Sequence, residues 1–119
     1  MNGDLNIPTC NEFNSMLGKP TINDFVALKG QRKIVCLTAY SAPMANVLDP
    51  HCDLLLVGDS VGMVVYGMDN TQNMDLNTMI RHGQAVMRRR KSALVVIDLP
   101  SGSYEISPEQ ALVSANEVI

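Results

Sequence analysis

The sequence predicts an α/β fold in which short parallel strands alternate with helices. Three observations carry that expectation. Residues 34–39, 54–57 and 93–97 are short apolar runs rich in leucine or β-branched residues. They are continuous rather than alternating, the pattern of strands buried on both faces under flanking helices. A helix-start signal follows each run, so the elements repeat as βα units.

Taken in order, residues 1–20 are polar and without a period, and read as an N-terminal arm. Thr21 opens a short helix in which Ile22, Phe25 and Val26 share a face, with Gly30 placed as its C-terminal glycine. After the first strand, Ser41 can cap a helix running to Leu48, with Pro43 tolerated in its first turn. The segment 60–74 after the second strand is long against the about 2–6 residues usual for such connections. Its glycines and methionines suit either a binding loop or lid, or a surface excursion with a small hairpin around 64–66. Asp75 then caps a helix whose Leu76, Met79, Ile80, Val86 and Met87 form one face. The basic run Arg88-Arg89-Arg90-Lys91 falls in its last turn, where cations complement the helix dipole. After the third strand, Ser107-Pro108-Glu109-Gln110 offers a serine cap, a proline at the first helical position and a glutamine to reach back.

The order is a helix followed by three βα units. It fits either a doubly wound sheet or part of a (β/α)8 barrel, and a whole barrel needs about 250 residues. Residues 21–119 therefore read as one incomplete domain with open sheet edges, ending inside its last helix like a cut chain.

An apolar fraction of 46% with 18% charged residues places the chain among globular proteins rather than disordered ones. A formal net charge of −3 provides no electrostatic footprint for nucleic acid. No apolar run approaches the roughly 20 residues that span a bilayer, and no secretory pattern opens the chain. Cys10, Cys36 and Cys52 form neither a C-x-x-C pair nor a metal spacing with His51 or His82, which points to a reducing, cytoplasmic setting. Cys36, inside an apolar run, is expected to be a small buried hydrophobe.

Two strands end in aspartate, Val57-Gly58-Asp59-Ser60 and Ile97-Asp98-Leu99-Pro100. Carboxyl ends of parallel strands line ligand sites, and two carboxylates converging there call for a proton or a cation. Magnesium suits such a place as a hard ion that keeps positions open for substrate oxygens. The competing reading is that each aspartate caps the next helix. It is weak for Asp98, because Ser107 is the better cap, and stronger for Asp59, where Ser60 and Gly62 can begin a turn. Gly58-x-x-x-Gly62 is neither a dinucleotide fingerprint nor a phosphate loop. His82 reads as a satisfied helix histidine, and Met63, Met68, Met74, Met79 and Met87 as core filler.

The segments Lys33-Ile34-Val35-Cys36-Leu37-Thr38-Ala39-Tyr40, Leu55-Leu56-Val57-Gly58-Asp59-Ser60-Val61-Gly62-Met63 and Asp98-Leu99-Pro100 with Gly102-Ser103-Tyr104 resemble the ketopantoate hydroxymethyltransferase family in order and spacing. Ser107-Pro108-Glu109-Gln110-Ala111 extends the match, which covers residues 21–119. The resemblance implies a (β/α)8 TIM barrel in a homo-oligomer, a decamer in the family. It implies transfer of a hydroxymethyl group from 5,10-methylenetetrahydrofolate to 3-methyl-2-oxobutanoate, giving 2-dehydropantoate for pantothenate biosynthesis with Mg2+ as cofactor. By position, Asp59 and Asp98 match metal-site aspartates that also adjoin the 2-oxo acid. Ser60 matches a residue contacting that substrate, and Thr38 and Tyr40 match positions lining the mouth of the first strand.

The chain departs from the family pattern at Ser41, where aspartate is usual, at Ser101, where an aromatic is common, and across Asp49-Pro50-His51-Cys52. The family's substrate lysine, third metal carboxylate and glutamate base lie beyond Ile119, so residues 1–119 alone are expected to be inactive. Two other classes remain open: a magnesium-dependent, enolate-stabilising barrel of the phosphoenolpyruvate mutase and isocitrate lyase type, and a non-catalytic receiver-like α/β module that binds magnesium.

Overall fold

A computed structural model of the chain describes residue 18 and residues 20–119. The expected arm over residues 1–20 lies almost wholly outside the described residues. The elements are α1 (Ile22–Ala27), β1 (Cys36–Thr38), α2 (Ala42–Leu48), a 3-10 turn (Asp49–His51), β2 (Leu54–Val57), α3 (Val61–Val64), α4 (Leu76–Arg89), β3 (Leu94–Ile97) and α5 (Pro108–Val118).

Four helices start where a short polar side chain accepts from a backbone N–H three residues on. Thr21 accepts from Asp24, Ser41 from Met44, Asp75 from Thr78 and Ser107 from Gln110. Thr21 and Asp24 complete a reciprocal capping box, the Thr21 N–H donating to Asp24 Oδ2 at 2.8 Å. Gln110 reaches one residue further back than a capping box requires: its Oε1 accepts from the Ile106 N–H at 2.9 Å, while its Nε2 donates to the Gly102 carbonyl. No hairpin forms around residues 64–66; the chain instead turns through α3 directly after β2.

The three strands form one parallel sheet in the order β1-β2-β3, with Thr38 opposite Leu56 and Val57 opposite Ile97. Alternation sends Leu55 and Val57 toward the helices, where they are fully buried with Ala45, Met79 and Val86, and where Val95 and Ile97 also pack. Gly83, in the middle of α4, makes this packing possible. A Cβ there would collide with Ile97 Cδ1 and lie 3.2 Å from Ile97 Cγ1.

The opposite face of the sheet is not buried. Leu54, Leu56 and Leu94 are half-covered there, and Cys36, Thr38 and Val96 are exposed. Burial on both faces, expected from the continuous runs, is thus corrected to full burial of one face of β2 alone, with β1 exposed along its whole length, Leu37 included; Cys36 is an exposed thiol rather than a core residue. Such runs do not reveal whether the second face has a partner among the residues at hand.

The amino ends of the strands are tied by two buried aspartates. Asp53 accepts from both Arg32 Nη atoms, at 2.6 and 2.9 Å, and from the Val35 N–H at 2.9 Å. That last bond diverts the Val35 N–H to a side chain, while the Val35 carbonyl still accepts from the Asp53 and Leu54 N–H groups at 2.9 and 3.2 Å. Asp49 accepts from the Ser92 and Ala93 N–H groups at 3.1 and 2.9 Å and so pins the entry to β3. The unusual Asp49-Pro50-His51-Cys52 bridge therefore supplies structure at this end of the sheet. No described helix is long and apolar enough to cross a membrane.

Candidate functional site

Parallel pairing brings the chain segments leaving β2 and β3 to the same end of the sheet. The ladder continues past the strands, with the Asp98 N–H donating to the Val57 carbonyl at 3.1 Å. The Asp59 N–H then donates to Asp98 Oδ2 at 3.1 Å, so the backbone of one strand end orients the carboxylate of the other. Asp98 caps no helix, since Ser107 caps α5. At Asp59 the backbone carbonyl receives the Gly62 N–H at 3.0 Å, and α3 starts without a side-chain cap. Neither aspartate is explained by capping.

Gly58 allows this convergence. A Cβ on it would lie 3.0 Å from Ser60 Oγ and 3.4 Å from Asp98 Oδ2, so a larger residue would push the serine hydroxyl or the carboxylate away. Tyr40, buried just beyond β1, places its hydroxyl 2.7 Å from Ser60 Oγ. Tyr40, Asp59, Ser60 and Asp98 are therefore joined through short contacts on three successive strand ends. Thr38 stands apart from them, exposed on the open sheet face opposite Leu56.

His82 enters this arrangement from α4. Its Nδ1 lies 2.6 Å from the Tyr40 carbonyl oxygen and its Nε2 lies 2.8 Å from the Tyr66 hydroxyl. Both ring nitrogens are engaged, as expected of a satisfied helix histidine, but the partners lead to the site. The methionines divide: Met74 and Met79 are core residues, whereas Met63, Met68 and Met87 are exposed.

The donor set at the strand ends consists of two carboxylates and a hydroxyl, all hard oxygens. Among the described residues no group of three or more histidine, cysteine, aspartate or glutamate side chains gathers to hold a metal. Such oxygens are the ligand type that magnesium takes, since it binds through one or two carboxylates and completes its shell with water and substrate oxygens. A hollow of about 440 Å³ lies between β3 and α5. Its lining includes Val95, Ile97, Leu99, Ala115 and Val118 and has no ionisable side chain, so it offers an anionic ligand nothing.

Comparison with known proteins agrees with this geometry. Residues 19–119 match the family model described as ketopantoate hydroxymethyltransferase. A 3-methyl-2-oxobutanoate hydroxymethyltransferase of Maricaulis maris is 63% identical over 99 residues, covering 83% of this chain and 36% of the relative. One from Phenylobacterium zucineum is 64% identical over 88 residues, covering 74% and 32%, and one from Bartonella henselae 58% over 99 residues, covering 83% and 36%. The chain thus spans about a third of the length of these relatives. With a family match over nearly all described residues, the chain belongs to the ketopantoate hydroxymethyltransferase family.

Proposed function

We propose that this chain forms the 2-oxo-acid-binding part of an enzyme that transfers a hydroxymethyl group from 5,10-methylenetetrahydrofolate to 3-methyl-2-oxobutanoate. The observation that carries the reading is the Asp59 N–H bond to Asp98 Oδ2, with Ser60 and its Tyr40 partner alongside. Asp59 and Asp98 would hold Mg2+ through their carboxylates. When bound, the ion supplies Lewis-acid polarisation of the substrate carbonyl.

The chain's own groups position the acid. With Tyr40 as donor in the 2.7 Å contact, the Ser60 O–H is left free to donate to an anionic substrate oxygen. Gly58 leaves the Ser60 hydroxyl and the Asp98 carboxylate in place where a Cβ would crowd them. Transfer of the C3 proton to a base, the glutamate that the family resemblance implies, would make that carbon the nucleophile toward the folate methylene, so no serine or cysteine nucleophile is needed. Thr38, on the open face, would line the floor of the site.

The open sheet face fits a (β/α)8 barrel in which further strands extend both edges and cover Leu54, Leu56 and Val96. A cytoplasmic homo-oligomer is the assembly we infer from the family.

The test is amide NMR of the chain on addition of 3-methyl-2-oxobutanoate with Mg2+. The signals of Gly58, Asp59, Ser60 and Asp98 should shift, and Asp98→Ala should remove the response. No shift in the wild type, or an unchanged shift in Asp98→Ala, overturns the assignment.

A further inference from the structure

We propose that His82 is a positioning residue that ties the segment following α3 to the Ser60 hydroxyl. The inference rests on the assignment of Ser60 to the substrate site and goes beyond it, because His82 touches none of the three site residues after β2 and β3.

The hydrogen bonds fix the chemistry of the ring. A carbonyl oxygen can only accept, so the 2.6 Å contact with Tyr40 puts a proton on Nδ1. In the neutral ring Nε2 is then an acceptor, and the Tyr66 hydroxyl must donate to it across 2.8 Å. The Tyr66 and His82 rings meet edge to face, with centroids 5.7 Å apart, which restricts the ring further.

The bonds form one line. Tyr66, half exposed on the segment after α3, holds His82; His82 holds the backbone carbonyl of Tyr40; and the Tyr40 hydroxyl holds Ser60 Oγ. Tyr40 is buried, so its ring has little freedom to compensate if its backbone moves. Displacing Tyr66 removes the outer contacts of the imidazole, frees the ring to turn about its Cβ–Cγ bond, and weakens its hold on the Tyr40 carbonyl. The position of an exposed segment is in this way read at the serine hydroxyl without a change in the sheet.

The experiment uses the chain labelled on the tyrosine Cζ and histidine ring nitrogens. There are three tyrosines and two histidines, so each signal can be assigned by substitution. The wild type should show His82 in the Nδ1–H tautomer. Tyr66→Phe should move the His82 ring-nitrogen signals and with them the Tyr40 signal, and His82→Asn should shift the Tyr40 signal toward that of Ser60→Ala while leaving Tyr104 unmoved. Asparagine keeps a donor near the Nδ1 position, so His82→Gln, which does not, should shift Tyr40 further. A wild-type Nε2–H tautomer, or an unmoved Tyr40 signal in folded His82→Asn and His82→Gln, overturns the proposal. Should both His82 variants lose their dispersed spectra, Tyr66→Phe decides it alone, because the half-exposed ring can be changed without emptying the core. A Tyr40 signal unaffected by Tyr66→Phe refutes the coupling. These readouts need no substrate, so failure of 3-methyl-2-oxobutanoate to bind refutes the proposed function separately.

Discussion

Replacing Gly83 by alanine tests how α4 sets the height of β3, and with it the position of Asp98. Alanine in a helix interior is favoured over glycine by about 1 kcal/mol. Against this, the new Cβ would occupy the space of Ile97 Cδ1 and come within 3.2 Å of Cγ1. Overpacking of this kind costs about 1–3 kcal/mol, so Gly83→Ala should lower stability by roughly 0–2 kcal/mol. Ile97→Val removes the colliding δ carbon and by itself costs about 0.5–1.5 kcal/mol. In that background the remaining γ-carbon contact can relax, and Gly83→Ala should become stabilising by about 1 kcal/mol. Urea unfolding of the wild type, both single variants and the double variant should therefore give a favourable coupling of about 1–3 kcal/mol. Additivity within about 0.5 kcal/mol would refute the claim that this contact sets the helix–strand spacing.

Arg32→Ala should destabilise the chain by about 3–5 kcal/mol, because it leaves the Asp53 carboxylate, 2% exposed, without its bidentate guanidinium. Arg32→Lys should recover only part of that loss, since an ammonium cannot reproduce the two-pronged contact; full recovery in a urea titration would contradict this. Asp75→Ala should cost about 1 kcal/mol through loss of the α4 cap. The Thr78 N–H and hydroxyl hold the Asp75 carboxyl below its ordinary range. Its contribution is therefore complete above about pH 4 and is lost as the pH falls through the depressed folded value. The difference between wild type and Asp75→Ala should be flat near neutrality and shrink in acid, and a difference that widens in acid would contradict that sign.

What was legible in the sequence follows the range of the interactions. Thr21, Ser41, Asp75 and Ser107 each bond to a backbone group three residues away, so the helix starts are written locally. The convergence of Asp59 and Asp98 could be anticipated because parallel pairing of successive strands puts their ends together. The diversion of the Val35 N–H could not, because its partner is an aspartate side chain 18 positions later. The sequence shows that His82 is a helix histidine but not what it bonds to, because its partners lie 42 and 16 residues away and no spacing rule links them. The roles of Asp49 and Asp53 at the opposite end of the sheet were hidden for the same reason. Cys36 was misplaced because an apolar run shows that a strand has a greasy second face, not that the face is covered.

The central claim is that Asp59 and Asp98 act together on one ion. Mn2+ is a paramagnetic stand-in for Mg2+ that shares its preference for oxygen ligands. Titrated into the labelled chain, it should broaden the amide signals of Gly58, Asp59, Ser60 and Asp98 before any others, and Asp98→Ala should abolish that selectivity. Broadening centred on Asp49 and Asp53 at the other end of the sheet, or spread evenly over exposed acids such as Asp69 and Glu117, would contradict it.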